Sequence, residues 1–385
     1  MKMSESASDA GKAQIFGQHN NMFGFLRLLF ASAVILSHVP EIIDGSRSNE
    51  ILTRLFGSIS LGDFSVDMFF LISGYLITNS FIGRKSLAEY VRKRLARIFP
   101  GFICAYFICV LIVAPIGGAK MPGHLGEFLS IVVRALLLQA PNVGNVFHGT
   151  MFPFLNASMW TISIEFKCYL LVIVMGYFGL FGKRHLVLIA TAALLVIAIF
   201  LEIETQPFDT SITDRPIPNI FSISEWNSIL FGAKKSWLRL SGIFLTGSCF
   251  FLYRDVIIFK LKYVLISTAA LALCLFVDRL AHFGVAIFGA YILFSISNIK
   301  NRTLSKINNK NDISYGVYLY AWPTTKVILL ISPHMSVINA TVLTVIISYI
   351  LGWVSWVCIE RPVLALVKST KHASPLPNKQ SRLAL

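Results

Sequence analysis

The sequence predicts an all-α, polytopic membrane protein of about ten transmembrane helices, with both termini cytoplasmic. Three observations carry this. Of 385 residues, 55% are hydrophobic and only 14% charged, whereas a soluble protein carries about 25% charged residues. The apolar residues gather in stretches of roughly 17–25, long enough for a helix to cross a bilayer, not in the short alternating runs of a barrel. The cations are also distributed unevenly. With the amino terminus inside and cations at span edges (Arg239 among them) counted with the adjoining loop, 22 of the 34 Lys and Arg residues fall on the cytoplasmic side and 9 in the opposite loops, the positive-inside pattern. The net charge of +15 thus reports topology, not nucleic-acid binding.

Residues 1–20 are a polar tail expected to be disordered, and one membrane domain follows over 21–365. The first span, 22–40, lacks a clustered basic segment before it and reads as a signal anchor. The second covers 64–82, and the third, 97–116, is entered directly from the basic segment RKSLAEYVRKRLARIFP. The stretch 126–139 is too short to cross and reads as interfacial or re-entrant. Spans follow at 158–180, 184–203, 237–253, 261–277, 281–298, 313–331 and 338–359, and residues 366–385 form a second polar tail. The long external loops 117–157 and 204–236 carry Pro, Gly, Asn and aromatic residues that suit a binding mouth. The six cysteines lie in or beside spans without metal-ligand spacing, and no Gly-rich nucleotide loop or nucleophile elbow is present.

Ionisable residues inside such spans are expensive and mark candidate sites. Arg27 and His38 share the first span. Eleven residues make three helical turns plus roughly 20°, so both lie on one face, about 16 Å apart. The assumed topology puts Asp67 and Glu165 at a depth similar to that of His38, on the second and fourth spans. A carboxylate that orients an imidazole equips it as a general base, so either carboxylate is a candidate partner. Asp67 is equally readable as a cap of its helix, following Gly62-Asp63-Phe64-Ser65. Lys167 and Lys326 suit snorkelling or structural pairing, and the remaining histidines form no site. Arg94 and Arg97 are neighbours on a helix face. Their guanidinium forks suit phosphates, although lipid headgroups fit their spacing as well.

These residues carry a family resemblance. Arg27-x10-His38, SVDMFFLISGYLIT, RKRLARIFP, WTISIEFKCYL, DISYGVYLYAWP and IERP occur in the order of the motifs of the acyltransferase-3 family, which O-acetylates bacterial surface glycans. The resemblance covers most of residues 20–365. It implies a multi-pass protein of the bacterial inner membrane. It also implies acetyl-CoA or another acyl-CoA as donor substrate, without a tightly bound cofactor, and a glycan or lipid-linked glycan as acceptor. In that reading His38 is the essential histidine and Arg27 its partner. Arg94 and Arg97 bind the donor, and Trp160 and Tyr315 are substrate-binding candidates. One departure stands out. Many members carry a histidine before the proline of the ninth span, where this chain has Ala321-Trp322-Pro323.

The resulting expectation is a single tunnel, gripping the donor's phosphates at Arg94 and Arg97 and delivering its thioester to His38. The rival is a transporter or flippase for a glycan or lipid intermediate, which consumes no thioester. A sensor without turnover gives no reason for Arg27 and His38 to share a face.

Overall fold

The computed structural model describes residues 21–200, 217–231 and 234–369, and among these every regular element is a helix. The two expected disordered tails lie outside the described residues, apart from 366–369, which continue the last helix. Helices occur on all ten segments expected from hydropathy. In chain order they are α1 (Phe23–Asp44), the short α2 (Ile51–Phe56), α3 (Leu61–Ile82), α4 (Leu87–Ile116), α5 (Leu125–Leu136), α6 (Ala157–Tyr177), α7 (Arg184–Phe200), α8 (Ile223–Phe231), α9 (Lys234–Leu252), α10 (Leu261–Leu275), α11 (Asp278–Ser297), α12 (Ser314–Ile331) and α13 (Val337–Ser369). By length and composition six of them can cross a membrane: α1, α3, α4, α6, α11 and α13. α7 and α10 are apolar but shorter. The stretch expected to be interfacial or re-entrant forms α5.

Helix boundaries extend beyond the apolar runs because capping, not hydropathy, sets them. α4 starts ten residues before the expected third span. Ser86 Oγ accepts from Glu89 N at 3.1 Å, while Glu89 Oε2 accepts from Lys85 N at 3.0 Å, a variant of the capping box in which the carboxylate takes the N–H one residue before the cap. Arg94 and Arg97 therefore ride on regular helix. α1 runs four residues past Pro40 and ends at Gly45, whose φ of 69° suits a residue without Cβ. α3 is capped by Ser60, which accepts from Asp63 N at 3.0 Å. Asp67 lies a turn further in and caps nothing.

α1 packs between α3 and α12, and α3 packs closely on α9. Glycines permit that second contact: a Cβ on Gly74 would meet Phe244 O at 1.8 Å, and one on Gly247 would meet Leu71 O at 2.0 Å. Small residues at such crossings let helix backbones approach, and Thr78 Oγ1 hydrogen-bonds Ser248 Oγ across the seam at 2.8 Å. Gly247→Ala is expected to cost about 1–3 kcal/mol by overpacking, read as a lower melting temperature in detergent. An unchanged melting temperature would show that the seam can widen freely.

Candidate active site

Arg27 points from α1 into a polar cluster. Its Nη1 lies 2.6 Å from Asp312 Oδ2, and Arg97 Nη2 reaches the same oxygen at 2.7 Å. Asn308 and Ser314 donate to Asp312 Oδ1 at 3.0 and 2.6 Å. Burial alone would raise the carboxyl pKa, but Arg27 and Arg97 hold it down at about 2. Arg97 also approaches Glu360 at 3.5 Å and the ring of Tyr315. Arg94 lies 5.8 Å from the ring centroids of both Tyr90 and Tyr169, and its Nε has no hydrogen-bond partner among the described residues. The three arginines line a cavity of about 120 Å³ together with Ser73, Glu165, Tyr315 and Tyr318.

His38 occupies the other end of α1. Its Nδ1 lies 2.9 Å from Glu41 Oε2. The spacing His-x-x-Glu puts both on one helix face. Glu41 is buried, and its second oxygen accepts from Arg47 Nε at 2.8 Å. Arg47 Nη1 donates in turn to Asp63 Oδ2 at 2.7 Å. Burial works against Arg47's charge, yet Asp63 and Glu41 outweigh it and raise the guanidinium pKa. The imidazole is thus fixed by a relay of alternating charge. Trp322, at the position where the resemblance expects histidine in many members, meets the His38 ring edge-on at 5.1 Å.

Neither carboxylate expected beside His38 is its partner. Asp67 is fully buried, and its Oδ1 accepts from Arg239 Nη1 at 2.7 Å. His282 Nδ1 lies 2.6 Å from its other oxygen. Arg239, counted with an external loop by sequence, is a buried residue of α9. Glu165 faces the arginine cavity, where Ser73 Oγ and Tyr169 OH donate to Oε1, each at 2.7 Å. Equal depth places groups on one level without fixing which way each helix face turns. Tyr315 is in the cavity wall, whereas Trp160 opens the regular part of α6 and packs against the core beside the wall residue Thr161. Lys167 Nζ donates to Ile229 O at 3.1 Å, and Lys326 Nζ to Thr150 Oγ1 at 2.9 Å.

The expected continuous tunnel is interrupted. His38 is not in the wall of the arginine cavity, which ends on this side at Val66, Thr161 and Tyr318. Tyr318 OH is 2.7 Å from both Thr161 Oγ1 and Ser158 O, and Phe69 packs against its ring at 6.0 Å. One helical turn beyond Tyr318 on α12, Trp322 touches His38. The Tyr318 and Trp322 side chains thus stand between the two ends.

With this geometry established, comparison with known proteins is informative. A family profile described as "Acyltransferase domain", that of the acyltransferase-3 family, matches residues 22–356. An O-acetyl transferase of Shigella phage Sf6 is 27% identical over 359 residues, covering 90% of this chain and 96% of the relative. Nodulation protein 10 of Rhizobium leguminosarum bv. viciae is 27% identical over 364 residues, covering 90% of this chain and 89% of its own length. An acyltransferase of Streptomyces mycarofaciens is 28% identical over 145 residues, 38% of this chain and 36% of that one. No solved structure gives a significant match. The motifs, the helical membrane architecture and the profile match agree: the chain belongs to the acyltransferase-3 family of membrane acyltransferases.

Proposed function

We propose that this protein transfers an acetyl group from cytoplasmic acetyl-CoA to a hydroxyl of an extracytoplasmic glycan, such as lipopolysaccharide O-antigen, capsule or exopolysaccharide, at the bacterial inner membrane. The observation that carries this reading is the division of labour along α1. Arginines gather around a cavity at one end, and a carboxylate-held imidazole stands at the other. Coenzyme A has the matching shape, with phosphates at one end of a flexible arm and a thioester at the other. The arm is long enough to cross about half of the roughly 30 Å hydrocarbon core, and Arg27 and His38 are about 16 Å apart.

Arg94, Arg97 and Arg27 bind the donor's phosphates, while Tyr315 lines its path. Glu41 holds His38 through Nδ1 and leaves Nε2 free to accept a proton, the arrangement of an oriented general base. His38 takes the proton of the acceptor hydroxyl as its oxygen attacks the thioester carbonyl. The new C–O bond forms, the C–S bond breaks, and the CoA thiolate takes the proton from the imidazolium. Direct transfer suits the neighbourhood, since Ser37 is fully buried and turned toward Gly62 of α3.

The test is proteoliposome transfer from labelled acetyl-CoA, alongside mass spectrometry of surface glycans from cells with and without the protein. Free CoA should appear in step with glycan acetylation, whereas glycan movement without CoA release would establish the flippase reading instead. Arg94→Ala breaks no ion pair among the described residues and should raise the donor KM about tenfold while changing kcat less. A donor KM equal to wild type would remove Arg94 from the phosphate site.

A further inference from the structure

A second cavity, of about 530 Å³, opens between the α1–α3 connection, α7, α9 and α11. We propose that it is the acceptor's sugar subsite, holding a polyhydroxylated ring of the glycan; this rests on the acyl-transfer reading above. The volume falls within the usual range for small-ligand sites.

Its wall is mixed. Asp63, Arg239, His282 and Ser60 are polar, while Leu195, Ile199, Ile243 and Phe283 are apolar. A sugar ring has this duality, with hydroxyls around its edge and C–H groups on its faces. Charge argues for a neutral polyol over a phosphate. Arg47 faces Glu41 and Asp63, and Arg239 faces Asp67. These two cations are already matched, and the remaining charged residues of the wall, Asp278 and Arg279, are of opposite sign. What the cavity offers is a balanced set of donors and acceptors.

One donor is conspicuously unfilled. Arg239 is 4% exposed and spends Nη1 on Asp67 and His282, yet its Nε has no hydrogen-bond partner among the described residues. A buried guanidinium N–H left unpaired is costly, and because Arg239 lines the cavity, a small rotation of its guanidinium would pair that N–H with a ligand hydroxyl. Asp67 and Arg239 thereby become positioning residues of the acceptor site.

The cavity also adjoins the relay behind His38. Arg47 lines it and donates to Glu41, which holds the imidazole. A glycan seated there lies at the His38 end of α1, away from the arginine cavity.

The experiment uses purified protein in proteoliposomes with acetyl-CoA. The acceptor is the surface glycan, released as oligosaccharides, that gains acetyl groups in cells expressing the protein. Ile199→Trp fills the cavity from α7 and leaves the Arg239–Asp67 pair intact. It should raise the acceptor KM at least tenfold with the donor KM within about twofold of wild type. Arg239→Lys keeps a cation opposite Asp67 and deletes the Nε donor, and should give the same split. If Arg239→Lys does not fold, Ile199→Trp decides alone. An unchanged acceptor KM, a loss confined to kcat, or parallel rises in both KM values would overturn the subsite and leave acyl transfer standing. Absence of glycan acetylation by the wild type would overturn the transfer reading itself, and the subsite with it.

Discussion

Glu41→Gln is expected to lower kcat by about 10³-fold with little change in donor KM, and His38→Ala to abolish measurable transfer. The glutamine keeps the shape of the side chain but not the charge that opposes a developing imidazolium. It can also present an N–H₂ to Nδ1 and favour the unproductive tautomer, a change that costs about 10⁴ in the serine-protease triad. Arg47 retains Asp63 at 2.7 Å in the variant, so the fold should tolerate the loss better than the chemistry does. Glu41→Asp, shorter by one methylene, should fall between the two. Undiminished turnover in His38→Ala would remove the general-base assignment. A Glu41→Gln enzyme within threefold of wild type would reduce Glu41 to a structural partner. Asp67→Asn, by contrast, acts on the Arg239 side and should not copy the Glu41 phenotype.

The second large effect is expected at Asp312. A single carboxylate oxygen accepts from both Arg27 and Arg97. Asp312→Asn keeps an acceptor there but leaves two guanidinium groups facing each other without their shared counter-charge. Breaking a fully buried ion pair costs about 3–5 kcal/mol; this cluster is half-buried, so its loss should cost less, still visible as a lower melting temperature in detergent. In the donor reading, phosphate supplies the missing charge. Added CoA should therefore raise the variant's melting temperature more than that of the wild type, because a ligand stabilises the state it binds. An equal response in both proteins would separate the cluster from donor binding. Acid should mimic the substitution. The Asp312 carboxyl lies below its ordinary value, at about 2, so its stabilisation is present above the unfolded-state pKa. It is lost as the pH falls through the folded value.

Much of this was readable in the residues. The apolar runs located the helices, and periodicity put Arg27 with His38 and Arg94 with Arg97. The partner of His38 was not recognised, although it lies three residues away. Pro40 ends the apolar run, so Glu41 fell outside the expected span; the helix nevertheless continues to Asp44. The reading by depth brought Asp67 and Glu165 toward His38 because it carried no information on which way each helix face turns. Asp67 faces Arg239, which counting cations at span edges had assigned to a loop. His282 acquires meaning only through Asp67, 215 residues away in sequence. Glu165 could have been recognised locally, since Tyr169 lies one turn later and donates to it.

Tyr318, Thr161 and Phe69, wedged between the arginine cavity and the imidazole, have a consequence for the cell. An enzyme that stood open from face to face would leak protons and discharge the gradient across its own membrane. A phenol and a hydroxyl between the two ends insulate them at rest; in the acetyl-CoA reading proposed above, the pantetheine arm has to displace them and fills the passage as it does so.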